Sequence, residues 1–359
     1  MYVKLRNEMY MQFKVKATGC KKGIGIRVSR SENGQVLSKQ ATNWFRGIAA
    51  IMIVLSHYAE WWTWFTPTEG NAEVIRLAIS KLGPYGVSIF FLFSGYAMVK
   101  SLGQERMYPE FIWKRIKNVY LPYFIIVGII ELLSGGFSSV QDFWSFASGY
   151  DYWYMFVLFI LYIGFIAIWT ILGGRGLRVG TFVVFTWLIS YMLYSKGMQD
   201  FWFISNIAFA IGVTVGEYEE NAKGFIERAG IFTLIVLAMG MVFVVYTGLF
   251  PKTGVETGVD EWKLWKEVGA AAIWAILILI IASKWRIYDK GIMALGRSSL
   301  YVYLTHTYIF MRCVNNFNFS FAARFLISAI ITVAVSLICN RLMIRLFHSP
   351  FRREESTSV

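Results

Sequence analysis

The stretch NWFRGIAAIMIVLSHYAEWW, residues 43–62, decides the fold class of this chain. As a helix rising 1.5 Å per residue it is long enough to cross the ~30 Å hydrocarbon layer of a bilayer. It nevertheless contains Arg46, His57 and Glu60. Because ionisable side chains are costly in lipid, we expect a membrane span whose polar residues face the interior of a protein.

The rest of the chain has the same apolar character. Of its 359 residues, 57% are hydrophobic and only 16% are charged, and the mean hydropathy is +0.51. This predicts an all-α polytopic membrane protein with a bundle of about ten transmembrane helices, without the alternation typical of a membrane β-barrel. The predicted spans lie near residues 44–66, 84–101, 119–135, 153–172, 180–196, 200–216, 230–249, 266–284, 293–312 and 322–346.

The net charge of +13 is distributed in the manner of a membrane protein. Lys and Arg gather in short segments between apolar runs, whereas residues 134–152 and 313–321 contain neither. The positive-inside rule then places both termini in the cytosol. We therefore expect the lipid bilayer as a partner and no nucleic acid.

The chain divides into three predicted parts. Residues 1–40 form a basic cytosolic leader without a signal-peptide core, residues 41–346 the transmembrane domain, and residues 347–359 a cytosolic tail. Translation from a start further downstream is an alternative for the leader. Cys20, Cys313 and Cys339 are far apart and fit no metal-ligand spacing, so we expect structural thiols and no metal.

The polar residues of the first span share one helical face. His57 follows Arg46 by eleven residues, which is close to a whole number of turns, and Glu60 follows His57 by three. With the amino end inside, Arg46 lies near the cytosolic surface and His57 lies ~16 Å deeper. Arg46 alone is also typical of an interfacial anchor, and Glu60 of a hydrated helix end.

This spacing suggests a long ligand that binds by an anionic end and reacts at the other. Coenzyme A has this form, with phosphates at one end and a thioester on a flexible arm. Histidine accepts protons near neutral pH, and Glu60 would hold the His57 imidazole in one tautomer, as the third member of a triad does.

Five segments then occur in an order that resembles the acyltransferase 3 family of integral-membrane O-acyltransferases. They cover about residues 40–312, and none is specific alone. The segments are RGIAAIMIVLSH (46–57), VSIFFLFSGYAMVKS (87–101), FIWKRIKNVYLPYF (111–124), YWYMFVLFILY (152–162) and ALGRSSLYVYLTH (294–306). The resemblance implies a ten-span bundle, a cytosolic acyl donor, usually acyl-CoA, and an acceptor that is often reached from the far side.

The resemblance also assigns residues. Arg46 and His57 match the family's functional pair. The family commonly has two arginines three apart at the third span; Arg115 matches the first, but Asn118 replaces the second, which leaves Lys114 and Lys117 to supply the missing charge. Arg297 is expected at the cytosolic entrance, where donor phosphate and lipid phosphate are both suitable partners.

Further candidates have two interpretations each. Ser94 contacts the donor or only allows close helix packing. Trp153 and Tyr154 stack on an acceptor or belong to an aromatic belt, and Asp151 beside them binds a sugar hydroxyl or remains solvated. His306 approaches the site or forms a hydrogen bond elsewhere in the bundle.

The predicted function is transfer of an acyl group, acetyl being expected, from cytosolic acyl-CoA to a hydroxyl of a cell-envelope sugar or polysaccharide. It takes place in the bacterial cytoplasmic membrane, with His57 as general base and no tightly bound cofactor. An acyl-histidine intermediate stays open. A transporter or flippase for a polysaccharide or lipid-linked sugar is the alternative, because it also needs intramembrane polar residues. A third class is a membrane sensor with a degenerate site.

Overall fold

A computed structural model describes residues 35–62, 70–103, 108–249, 261–286, 288–316 and 319–348. Most of the predicted leader, with Cys20, and the tail from residue 349 lie outside the described residues, as do residues 63–66 at the end of the first predicted span.

The described chain is helical and contains no β-strand in those ranges, which confirms the all-α prediction. The helices are α1 (Lys39–Trp62), α2 (Asn71–Ser80), α3 (Leu82–Leu102), α4 (Tyr108–Arg115), α5 (Leu121–Leu133), α6 (Val140–Ser148), α7 (Trp153–Ile171), α8 (Arg175–Ser195), α9 (Ile207–Glu217), α10 (Glu219–Arg228), α11 (Ile231–Leu249), α12 (Glu261–Lys284), α13 (Lys290–Arg297), α14 (Ser299–Asn316) and α15 (Phe321–His348). A π-helical turn, Ile116–Tyr120, joins α4 to α5, and a 3₁₀ turn, Asp200–Trp202, precedes α9.

Several of these helices have the properties of membrane spans. Within the described ranges, six helical segments are long and apolar enough to cross a membrane, and a seventh is added if α9 and α10, bent by 103°, count as one span. The chain is therefore a multi-pass membrane protein. Helix α1 has 24 residues but is not among the six, because its polar residues lower its hydropathy.

Helix α1 lies inside the bundle, in contact with α2, α3, α13 and α14. Its apolar side chains at Phe45, Ala49, Ala50 and Ile53 are buried. This placement is what the sequence requires, since a helix with ionisable groups is accommodated among other helices rather than in lipid.

Two glycines bring α1 and α13 into backbone contact. A Cβ atom on Gly47 would lie 2.2 Å from the carbonyl oxygen of Ile292, and one on Gly296 would lie 1.7 Å from that of Asn43. Only residues without a side chain fit at these points. The contact fixes the end of α1 that carries Arg46.

A second pair of glycines does the same for α3 and α9. A Cβ atom on Gly95 would lie 2.1 Å from the carbonyl oxygen of Phe209, and one on Gly212 would lie 2.0 Å from that of Leu92. Close packing at the Ser-Gly pair of α3 was one of the two interpretations of that motif. The crossing explains Gly95, while Ser94 has a different environment.

The segment before α1 is attached to the bundle. Val36 and Leu37 are buried, and the Glu219 carboxylate accepts hydrogen bonds from the Val36 amide at 2.8 Å, from the Tyr96 hydroxyl at 2.5 Å and from the Lys100 ammonium. Residues 36 and 37 are therefore packed against the helical bundle.

Candidate functional site

A cavity of about 400 Å³ opens beside the amino-terminal half of α1, and it is strongly basic. Four cationic side chains line it, and no aspartate or glutamate is among its described lining residues. We name it the basic cavity; the cations are Arg46, Arg115, Lys117 and Arg297. Such a concentration of uncompensated positive charge favours a ligand with several negative charges.

Arg46 has aromatic rather than acidic surroundings. Its guanidinium carbon lies 5.9 Å from the centroid of the Phe90 ring, in cation–π contact. Tyr154 and Tyr162 also line the cavity close to it. In the described part of the chain no carboxylate neutralises Arg46, so its charge is available to a ligand.

The entry to α5 forms another wall of the basic cavity. The π-helical turn Ile116–Tyr120 widens the backbone there, a feature often found at functional sites, and it carries Lys117 and Asn118 into the lining. Arg115 Nε and Asn118 Oδ1 are buried and have no hydrogen-bond partner among the described residues. Buried polar atoms of this kind are normally paired with protein groups, ordered water or a ligand.

A second cavity, of about 380 Å³, lies beside the carboxyl-terminal half of α1. It contains His57 and has charges of both signs and several aromatic rings; we name it the histidine cavity. Its lining includes Glu60, Lys81, Tyr85, Trp153, Gln199, Asp200, Phe201, Lys266 and Glu267. Aromatic walls combined with polar groups suit a ligand with apolar faces and several hydrogen-bonding groups.

The His57 imidazole packs against aromatic rings and forms no hydrogen bond with Glu60. Its Nδ1 lies 3.8 Å from Glu60 Oε2, beyond hydrogen-bond distance, and the Glu60 side chain is 53% exposed. The imidazole stacks on Trp61, with centroids 5.5 Å apart, and lies 5.0 Å from the ring of His306. In this structure Glu60 therefore does not orient the imidazole as a triad carboxylate would.

His306 lies buried behind His57, on α14. Its Nδ1 is 3.0 Å from the carbonyl oxygen of Val302 and 2.8 Å from that of Tyr303. Since carbonyl oxygens only accept hydrogen bonds, Nδ1 carries the proton and Nε2 carries the lone pair.

Tyrosines separate the two cavities. Among the described lining residues, Tyr303 alone belongs to both. Its ring lies 5.1 Å from that of Tyr154, edge to face, and Tyr154 lines the basic cavity together with Ser94. Tyr303 therefore lies between the cavity that contains Arg46 and the cavity that contains His57.

The predicted site residues fall into three groups. The basic cavity contains Arg46, Ser94, Arg115, Lys117, Tyr154 and Arg297; the histidine cavity contains His57, Glu60 and Trp153, with His306 behind them. Lys114 and Asp151 line neither cavity. Tyr154, for which stacking on an acceptor and membership of an aromatic belt were the two interpretations, lines the basic cavity. Partial burial, and secondarily Asp142, raise the pKa of the Asp151 carboxyl, which lies in the loop before α7.

Sequence reasoning missed other lining residues. Lys81 and Lys266 lie at the ends of apolar helices, where a basic residue indicates topology more readily than a site. Tyr303 has no distinguishing local signal, because tyrosine is common in this chain. Asn118 was noted only as a departure from an arginine pattern, and it nonetheless lines the basic cavity.

A family model described as an acyltransferase domain, Acyl_transf_3, matches residues 40–341. This range includes every predicted site residue and nearly the whole chain. Comparison with curated proteins and with solved structures gave no match. The chain therefore belongs to the acyltransferase 3 family and is a membrane-embedded acyltransferase.

Proposed function

We propose that the enzyme transfers an acyl group, acetyl in the simplest case, from acyl-CoA to a hydroxyl of a cell-envelope sugar or polysaccharide. The observation that carries this proposal is the basic cavity: four cations and no carboxylate among its described lining residues, one tyrosine away from a cavity that holds His57. A donor with several phosphates and a long reactive arm fits that arrangement.

The donor phosphates would bind to Arg46, Arg115, Lys117 and Arg297. Arginine forms paired hydrogen bonds with phosphate oxygens, whereas lysine acts as a point charge. The unpaired Arg115 Nε–H would donate to a phosphate oxygen, and Asn118 Oδ1 would accept from a hydroxyl or N–H group elsewhere on the donor. From there to His57 the distance along α1 is ~16 Å, which a flexible thioester arm spans once it passes Tyr303.

The chemistry would take place at His57. The imidazole removes the proton of an acceptor hydroxyl, and the hydroxyl oxygen attacks the thioester carbonyl carbon. The carbon–sulfur bond then breaks, and the departing thiolate takes the proton back from His57. An acyl-histidine formed before the acceptor reacts is the variant of this scheme.

The acceptor would occupy the histidine cavity. Trp153, Tyr85 and Phe201 offer aromatic faces to the C–H surfaces of a sugar ring, while Gln199 and Asp200 offer hydrogen-bonding groups. The histidine cavity is lined by both acidic and basic side chains, which is compatible with a mainly neutral, hydroxyl-rich acceptor.

We also propose that the chain crosses a bacterial cytoplasmic membrane ten times and that both termini lie in the cytosol. Described helices lie at each of the ten apolar runs of the sequence. The basic cavity then opens toward the cytosol, where acyl-CoA is found, and the histidine cavity toward the envelope. With this orientation the acyl group crosses the membrane while the nucleotide of the donor stays on the cytosolic side.

Donor binding tests the proposal directly. With the full chain in lipid nanodiscs, titration with acetyl-CoA should show Arg297→Gln binding about tenfold more weakly, since a charge-assisted hydrogen bond contributes about 1.5–3 kcal/mol. Lys290→Gln is the matched control, because this exposed residue of the same helix α13 lines neither cavity.

Equal weakening in both variants, or no binding of acetyl-CoA by the wild type, would contradict the donor site and favour the transporter alternative. If the donor site is upheld, mass analysis of envelope glycans from cells with and without the protein would identify the added acyl group.

A further inference from the structure

We propose that His306 is a positioning residue that fixes the tautomer and orientation of His57. The inference rests on the proposed role of His57 as general base. It assigns the task expected of Glu60 to a histidine on a different helix.

The first step is that His306 itself has a fixed tautomer. Its Nδ1–H donates to the Val302 and Tyr303 carbonyl oxygens of its own helix, at 3.0 and 2.8 Å. The side chain is 1% exposed, so water does not compete for that proton. Nε2 is consequently a hydrogen-bond acceptor, and the Thr307 hydroxyl lies 3.4 Å from it.

The second step is the placement of the two rings. The imidazoles of His57 and His306 lie 5.0 Å apart at an interplanar angle of 43°. Trp61 stacks with both rings, at 5.5 Å from His57 and 6.4 Å from His306, each at 25°. Trp61 also stacks on Phe310 at 4.5 Å. This aromatic group packs the His57 ring beside that of His306.

The third step is the consequence for His57. In the proposed arrangement a small rotation of the His57 ring, which lies 5.0 Å from that of His306, lets it donate one N–H to His306 Nε2. The lone pair of His57 then lies on the opposite nitrogen, which is the base. Glu60 Oε2, at 3.8 Å from His57 Nδ1, is too distant to select that tautomer. Without His306, both tautomers and both ring orientations of His57 become populated.

The chain is well suited to a direct spectroscopic test, because it contains only three histidines. In ¹⁵N-histidine-labelled protein in lipid bilayers, solid-state NMR distinguishes the two nitrogens of each imidazole. We expect His57 to show a single neutral tautomer in the wild type and a mixture in His306→Asn. Asparagine keeps a donor near the Val302 carbonyl but has no group at the Nε2 position.

Two further variants separate positioning from packing. Thr307→Val removes the hydroxyl that lies 3.4 Å from His306 Nε2 and competes for that acceptor, so this variant should keep the single His57 tautomer. His306→Gln places an amide oxygen near the Nε2 position and should restore part of the single-tautomer signal. A His57 spectrum identical in wild type and His306→Asn overturns the proposal.

The activity measurement completes the test. In membranes that contain the native acceptor, His306→Asn should lower the turnover of acetyl-CoA roughly 10- to 100-fold with an unchanged KM, as expected for a misoriented base. If His306→Asn turns over acetyl-CoA at the wild-type rate, the positioning role of His306 is wrong, while the role of His57 as base is not affected. If His57→Ala also transfers normally, the base assignment itself is wrong, and His306 has no base to position.

Discussion

At the scale of single residues, the first span made the largest part of the site predictable. Arg46 and His57 lie on one face because eleven residues are close to a whole number of helical turns. Each of the two lines a separate cavity along α1. The orienting partner was not predictable in the same way. Glu60 shares the stripe, but the ring nearest to His57 comes from α14, and helix periodicity carries no information about contacts between distant segments.

Glu60 therefore gives a sharp residue-scale prediction. Glu60→Gln should reduce acyl transfer by less than about tenfold, because a carboxylate 53% exposed and 3.8 Å from the imidazole contributes little in water. His57→Gln should abolish transfer. Both are measured as acyl content of the envelope at equal protein levels. A loss in Glu60→Gln as large as in His57→Gln would show that Glu60 closes onto the imidazole when substrates bind.

At the scale of helices, the sequence predicted where the elements lie but not how they are rotated against each other. The apolar runs gave α3, α5, α7 and α8 to within a few residues. The π-helical turn Ile116–Tyr120 was not predicted, because its wider spacing is set by packing rather than by residue type. That turn places Asn118 in the cavity wall.

The α3–α9 crossing predicts a stability effect. Gly212→Ala should lower the thermal midpoint in detergent by several degrees, since its Cβ atom would lie 2.0 Å from the Leu92 carbonyl oxygen and overpacking costs about 1–3 kcal/mol. Gly180→Ala on α8 is the control, because nothing lies within 4 Å of its Cβ position. A midpoint for Gly212→Ala equal to that of the control would mean that the two helices separate without cost.

The contact between α3, α10 and the segment before α1 gives a second prediction. Glu219→Gln leaves the Lys100 ammonium without its carboxylate, and we expect a loss of about 1–3 kcal/mol in stability. Glu220→Gln is the neighbouring control, because that side chain is 83% exposed and forms an ion pair with Lys223 at the surface. Equal midpoints for the two variants would show that Glu219 does not anchor Val36.

At the scale of the whole molecule, composition alone predicted the class of protein, and the order of the motifs predicted the family. The cavities were not predictable, because a cavity is the space that remains after helices pack, and the glycines that set this packing give no signal of their own. Tyr303 is the clearest case. Its position between the two cavities depends on α1, α7 and α14 together.

The two cavities should differ in the side of the membrane from which they are reached. In a background with the three cysteines replaced, Gln199→Cys in the histidine cavity should react with a membrane-impermeant maleimide added to intact cells. Ala97→Cys in the basic cavity should react only after the membrane is permeabilised, and acetyl-CoA should protect it. Ser138→Cys, in the segment without Lys or Arg, serves as the outside reference. Labelling of both cavity variants from the outside would contradict the proposed orientation of the cavities, because acyl-CoA would then have no entrance from the cytosol.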